Sequence, residues 1–301
     1  MNPLAGIAMK ILSVFFLTMS AALVKASAAH YPVGQVIFLR SGLGLAPIML
    51  WLAWRGQLSA SVRTRRFGRH FRRGLLGFGA TYLTFLALAY LPLPDATAIG
   101  YIAPLVLVVL AGLVLKERIA PYRWVAVAAG FCGILVMLSP HLSAGILGRG
   151  VDAESGTGVL VALAAALSLA VAMMTTSQLT QTETTGAIVF YFFLLVTLMS
   201  LVTAPFGWVM PSMQQVPMLL AMALLGSVGQ ILLTECYRHA DTSVVAGFEY
   251  TSMVWAVVLG WSMFGDLPSI VVIAGALIVA GAGLFMTLRE HRARRRLKTL
   301  Q

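Results

Sequence analysis

The amino-acid sequence predicts an all-α membrane protein: ten transmembrane helices arranged as two inverted five-helix repeats. Three observations carry this expectation. Ten apolar stretches, each close to twenty residues long, recur along the 301-residue chain. Lysine and arginine collect in alternate connecting segments. Residues of the second half match residues of the first at nearly constant spacing.

The stretches cover 4–25, 33–54, 74–91, 96–115, 121–139, 157–177, 186–205, 216–237, 242–263 and 268–288. About 20 helical residues cross about 30 Å of hydrocarbon, and backbone in lipid must bond to itself, so each stretch reads as a spanning helix. Turn formers mark most joints: Tyr31-Pro32, Leu91-Pro92-Leu93-Pro94-Asp95, Ala120-Pro121, Met210-Pro211 and Leu267-Pro268. The chain is 59% hydrophobic and only 10% charged, with mean hydropathy +0.90. A soluble domain carries about a quarter charged residues, so there are too few here to cover a water-facing surface. Helices apolar all round carry no stripe that tells which side faces the bundle.

Charge sets the orientation. With the N-terminus in the cytoplasm, the inner segments hold 18 basic residues: Lys10, seven arginines from Arg55 to Arg73, Lys116, Arg118, Arg123, Arg238 and six from Arg289 to Lys298. The outer segments hold Lys25 and Arg149, and Arg40 lies inside a span. Basic residues stay cytoplasmic, so both termini are expected there, in a multi-pass protein of a cell inner membrane. The two clusters beside spans two and ten read as topology signals and contacts for anionic membrane lipids, not as a nucleic-acid surface, despite the net charge of +11 and pI near 10.3. The N-terminus also imitates a secretory signal, with Lys10, an apolar run and Ala26-Ser27-Ala28 as a cleavage-like site. The repeat argues against removal, since span one has a counterpart in span six.

Gly77/Gly226, Tyr101/Tyr250 and Glu117/Asp266 share an offset of 149 residues, and Gly6/Gly158, Gly34/Gly186 and Phe38/Phe190 share one of 152. Five spans per half is an odd number, so the second half must sit upside down relative to the first. The units are then residues 1–149, residues 150–288 and a basic cytoplasmic tail at 289–301. Inverted repeats of this kind build secondary transporters with a site near the bilayer midplane.

On this pattern the chain resembles the drug/metabolite transporter superfamily, and within it the ten-span EamA type. The pieces that carry the resemblance are Phe38-Leu39-Arg40, Ala103-Pro104-Leu105, Lys116-Glu117-Arg118 and Phe248-Glu249-Tyr250-Thr251-Ser252. Lys116, Met253 and Asp266 depart from the family pattern, which has glycine, proline and glutamate there. The resemblance implies transport of small organic molecules, often outward, with no bound cofactor.

Ionised groups inside the membrane cost about 2.5–3.5 kcal/mol on insertion scales and so need a compensating role. Arg40 and Glu249 each lie about 10 Å into their spans, from opposite ends, which places both near the midplane. Arg40 is the candidate for a substrate carboxylate or phosphate. Glu249 is the candidate for an amine or a proton, with Glu235 as a second proton-relay candidate or a partner of Arg238 or His239. An Arg40–Glu249 ion pair, or Arg40 reaching to headgroups, is the structural alternative. Tyr101, Tyr250, Trp255, Ser252, Tyr82 and Ser13 are the candidate walls of an organic-ligand site. Pro104 removes a backbone donor mid-span and is the candidate hinge. Lys25 reads as an interface marker, and Glu117 and Asp266 as turn and capping residues.

Cys132 and Cys236 stand at no metal or redox spacing, and the five histidines are scattered near span ends, so no metal site is expected. Small residues at Ala126/Gly130, Ala129/Gly133 and Ala276/Ala280 allow close helix approach, within the bundle or in a homodimer. No Walker-type phosphate loop is present, so ATP hydrolysis is not expected to drive the protein. The expected function is secondary transport, export favoured, of a small polar metabolite: an amino-acid derivative, an opine-type metallophore or a drug. A metabolite uptake carrier, a lipid flippase, a passive channel and, last, an intramembrane transferase are the alternatives. Clustered carboxylates, histidines or a nucleophile at the interface, which a transferase needs, are not visible.

Overall fold

A computed structural model of the chain describes residues 3–64, 66–103, 105–106, 109–110, 121–146, 153–180, 182–239 and 246–298. Among these the structure is helical, with no strand. The helices are α1 (Pro3–Ala28), α2 (Val33–Trp54), α3 (Leu58–Val62), α4 (Phe67–Tyr90), α5 (Leu93–Gly100), α6 (Pro121–Ile146), α7 (Ala153–Thr180), α8 (Thr185–Ser200), α9 (Val216–His239), α10 (Thr251–Phe264) and α11 (Ile270–Lys298). Helical backbone follows α5 at the described residues of 102–110, and a 3₁₀ turn, Ala246–Tyr250, precedes α10.

Among the described residues, five stretches have both the length and the composition to cross a membrane: Leu4–Ala28, Val33–Trp54, Gly156–Thr176, Thr185–Thr203 and Val216–Cys236. Apolar helix is shorter at Trp124–Val136 and Ile270–Phe285. Helix α4 opens with Arg69, His70, Arg72 and Arg73, so its apolar part is confined to the later turns.

The helices pair in matched ways. α1 lies antiparallel to α9: Leu17 fills the notch at Gly229, Ser20 donates to the Met222 carbonyl at 2.9 Å, and Met9 packs on Cys236. α4 lies antiparallel to α7, with Gly158 at the start of α7 against Tyr90 and Leu91, and Arg72 reaching Gln178 near its end. Helices α2 and α8 cross head to tail. A Cβ on Gly34 would come 2.0 Å from the Thr203 hydroxyl, and one on Gly186 would come 2.6 Å from Leu52. Gly34 and Gly186 are the same pair that the sequence sets 152 residues apart. Helices α6 and α11 approach closely at Gly133, where a Cβ would sit 2.9 Å from the Gly275 carbonyl oxygen, as the small residues there anticipate.

The fourth and ninth apolar stretches are not continuous helices. α5 stops at Gly100, and Tyr101 forms a turn through its N–H to the Ala98 carbonyl at 3.2 Å. In the ninth, the 3₁₀ turn ends at Tyr250 and α10 begins at Thr251. The sequence gives a reason at the first break: glycine is a poor helix former, and a proline four residues on has no N–H for the Gly100 carbonyl. Pro104 itself, like Glu117, lies outside the described residues. α10 ends on Gly265, whose φ of +72° is the left-handed cap position that glycine adopts at no steric cost.

Candidate functional site

The two breaks come together. The Tyr101 and Tyr250 rings meet edge to face, with centroids 5.1 Å apart at 64°. The Tyr101 hydroxyl lies 2.6 Å from the Ser252 hydroxyl and donates to the Tyr250 carbonyl at 3.4 Å. Ser252 in turn donates to the Glu249 carbonyl at 2.7 Å, and Thr251 to that of Phe248 at 2.6 Å. These side chains satisfy carbonyls that an interrupted helix leaves without partners, which lipid would otherwise penalise by several kcal/mol, on the order given for unbonded groups. The Tyr250 hydroxyl fits against Gly283 of α11, where a Cβ would overlap it at 1.4 Å.

Glu249 stands at this junction, and its partner is Lys10. The ammonium of Lys10 pairs with the Glu249 carboxylate. The lysine side chain is 1% exposed and the glutamate 48%, so the cation is sealed and the carboxylate reaches open space. Seven residues separate Lys10 from the start of α1, about 10 Å at 1.5 Å per residue, the same depth as Glu249. Sequence reasoning missed Lys10 by counting it as a topology residue. Its depth was the available signal.

Arg40 belongs to a different level. Its Nε donates to Ser20 Oγ at 3.1 Å and its guanidinium lies over the Phe85 ring, 5.4 Å from the centroid. Among the described residues no carboxylate pairs with it. Gly226 makes its room, since a Cβ there would lie 3.0 Å from Arg40 Nε. Ser20 is ten residues beyond Lys10 on α1, about 15 Å along the axis. The Arg40–Glu249 ion pair, the structural alternative to a substrate role, is not formed here.

Phe15 and Trp255 meet edge to face at 4.8 Å between the levels of Lys10 and Ser20 on α1. Ser13 turns its hydroxyl back to the Lys10 carbonyl at 2.8 Å, and Tyr82 packs on Phe78 at 6.0 Å, so neither joins the Glu249 group. Glu235 pairs with Arg55, just past the end of α2, at 2.9 Å, and His239 Nδ1 contacts the Glu235 carbonyl at 3.0 Å. That pair sits in the wall of an apolar groove of about 700 Å³ between α1, α2 and α9, which none of Arg40, Tyr101, Tyr250 and Glu249 lines.

At the far end of α1, Lys25 is more than an interface marker. Its ammonium donates to the Leu91 carbonyl at 2.8 Å, pairs with Asp266 at 3.3 Å and lies 5.3 Å from the centre of the Phe264 ring. Asp266 also caps α10 through its N–H to the Gly260 carbonyl at 3.0 Å. Helices α1 and α10 thus run parallel, with Lys10–Glu249 near one end, Phe15–Trp255 between and Lys25–Asp266 at the other.

Comparison with known proteins agrees with this architecture. The model of the EamA-like transporter family matches residues 4–139. A riboflavin transporter of Rhizobium johnstonii is 31% identical over 302 aligned positions, covering 97% of this chain and 91% of its own. The chain belongs to the EamA-like transporter family. A pseudopaline exporter of Pseudomonas aeruginosa is 26% identical, covering 92% of this chain and 94% of its own, and an S-adenosylmethionine uptake transporter of Rickettsia prowazekii is 26% identical, covering 86% and 84%. A solved crystal structure at 20% identity aligns over 96% of this chain and 98% of its own with a TM-score of 0.67, so the two share a fold. This EamA-like protein is a membrane transporter of the drug/metabolite superfamily, not an enzyme.

Proposed function

We propose that this EamA-like transporter moves a small polar organic metabolite by alternating access, with Glu249 as the carboxylate that takes a substrate amine or a proton. The observation that carries the reading is the half-exposed Glu249 carboxylate at the junction of two interrupted helices, beside Tyr101, Tyr250 and Ser252. Interrupted helices at the heart of a bundle are where inverted-repeat carriers place substrate and ion sites.

Two inverted halves, 1–149 and 150–288, make the ten-span frame of this proposal. The exchange-matched pairs support it: α1 on α9 answers α4 on α7, and Gly34 on α8 answers Gly186 on α2. The positive-inside count favours both termini, and the tail at 289–301, on the cytoplasmic side of an inner membrane. Arg40, a half-buried cation that no carboxylate pairs with among the described residues, is the proposed subsite for a substrate acid. Trp255 supplies an apolar wall. Pro104 is the proposed bending point. Glu235 has a weaker claim to a relay role, because Arg55 holds it. Outward movement is the proposed direction, as named for the pseudopaline exporter, although the S-adenosylmethionine relative is named for uptake.

Counterflow in proteoliposomes tests the reading, with riboflavin, S-adenosylmethionine and the proteinogenic amino acids as probes. A carrier saturates and shows counterflow with at least one probe, and Glu249→Gln abolishes it. Unsaturable flux indicates a channel, and undiminished counterflow in Glu249→Gln removes the carboxylate from the mechanism.

A further inference from the structure

The Lys10–Glu249 pair is an unusual arrangement for two ions meant only to hold helices together. Burying an ion carries a desolvation penalty of several kcal/mol, recovered when its partner is well placed. Lys10 meets that condition and is sealed behind the pair, whereas half of the Glu249 side chain remains open. The pair engages Glu249 Oε2; its Oε1 takes no hydrogen bond among the described residues. Two aromatic rings, Tyr250 and Tyr101, stand beside it, surfaces that attract cations through their π faces.

We infer that the Lys10 ammonium is a tethered occupant of the substrate's own subsite, held on Glu249 when the carrier is empty and displaced by an incoming organic ammonium. This rests on the reading of Glu249 as the substrate carboxylate. An ammonium on a substrate has the same charge and the same three donors as Lys10. It can approach at Oε1 while Lys10 still holds Oε2, so the carboxylate is never left bare. Four methylenes connect Lys10 to the α1 backbone, and they allow its head to withdraw without moving the helix. Next to it lies Cys236, a fully buried thiol of α9 that packs on Met9, the residue before Lys10.

Removal of the lysine is therefore expected to strengthen cation binding, the opposite of what a merely structural partner would do. A structural staple, once cut, loosens the site and weakens every ligand.

The test uses the full chain in lipid nanodiscs with phenethylamine, a primary ammonium at neutral pH, and 2-phenylethanol, its neutral counterpart. Lys10→Met is expected to bind phenethylamine at least tenfold more tightly than the parent, with 2-phenylethanol unchanged. Lys10→Arg, which keeps a tethered cation, stays near the parent affinity. Lys10→Met combined with Glu249→Gln loses the gain. In a Cys132→Ser chain, which leaves Cys236 as the one thiol, phenethylamine is expected to speed maleimide labelling of Cys236 severalfold. Affinity in Lys10→Met that is unchanged or weaker overturns the inference, as does a gain that survives Glu249→Gln. Indifference of Cys236 labelling to phenethylamine does so too, and decides alone if Lys10→Met does not fold. Loss of counterflow in Glu249→Gln without tighter binding in Lys10→Met removes the tethered lysine and leaves the proposed carrier site standing. Unaltered counterflow removes both.

Discussion

Two seams of the bundle use the same frame and opposite chemistry. Where α1 meets α10, the contact is ionic at both ends, with Lys10–Glu249 and Lys25–Asp266 flanking Phe15–Trp255. Where α7 meets α5, the contact is made by Ala162, Ala166, Val159, Ala98 and Ile99 in one apolar cluster. The sequence offsets put Ala162 in the place of Lys10, Ser177 in that of Lys25 and Gly100 in that of Glu249. Packing and charge are thus specified separately. Small and aliphatic residues are sufficient to seat one helix on another, so the ions on the α1–α10 side are not required for packing.

The sharpest way to break this contrast is to remove one ion. Glu249→Gln takes the carboxylate from a sealed lysine and is expected to destabilise the protein by about 3–5 kcal/mol, whereas Lys10→Met/Glu249→Gln, which removes both charges, returns close to the parent. Unfolding in detergent, followed by the buried-thiol reaction of Cys236, measures both; equal losses would show that Lys10 finds another partner. A smaller effect comes from charging the other seam. Ala162→Lys places an ion at a 3% exposed site in the apolar cluster, expected to cost about 2.5–3.5 kcal/mol, and indifference would mean that this seam opens to water.

Gly283→Ala follows. It drives a methyl group into the Tyr250 hydroxyl, an overpacking worth about 1–3 kcal/mol, and is expected to reduce counterflow by shifting the Tyr101–Tyr250 contact. The smallest loss is expected from Lys25→Met. The Lys25–Asp266 side chains are 18% and 28% exposed, and pairs open to solvent contribute about 0.2–1 kcal/mol. A loss as large as that of Glu249→Gln would make the two ends of the seam equivalent.

Much of this was legible without coordinates. The spacing of apolar stretches located helical backbone, and the repeated tyrosines Tyr101 and Tyr250 marked residues that do meet. Partners were not legible. Similar depth left Arg40 as the one intramembrane cation weighed as a partner for Glu249, yet helices without an apolar stripe give no direction, and the structure supplies Lys10. Glu235 finds Arg55 across 180 residues, a contact that no local spacing announces. Lys25 and Asp266 looked like ends of helices, which they are, and only the parallel course of α1 and α10 brings those ends together. Charge pairs between helices belong to the tertiary arrangement, which local patterns do not encode.

The reciprocal glycine notches of α2 and α8 carry a mechanical consequence. Each helix is pinned near its first turn by the other's last turn, so sliding one along the other would drive Thr203 or Leu52 into backbone at once. The pair is thereby locked in register at both ends, so any movement carries the two helices together as one rigid unit.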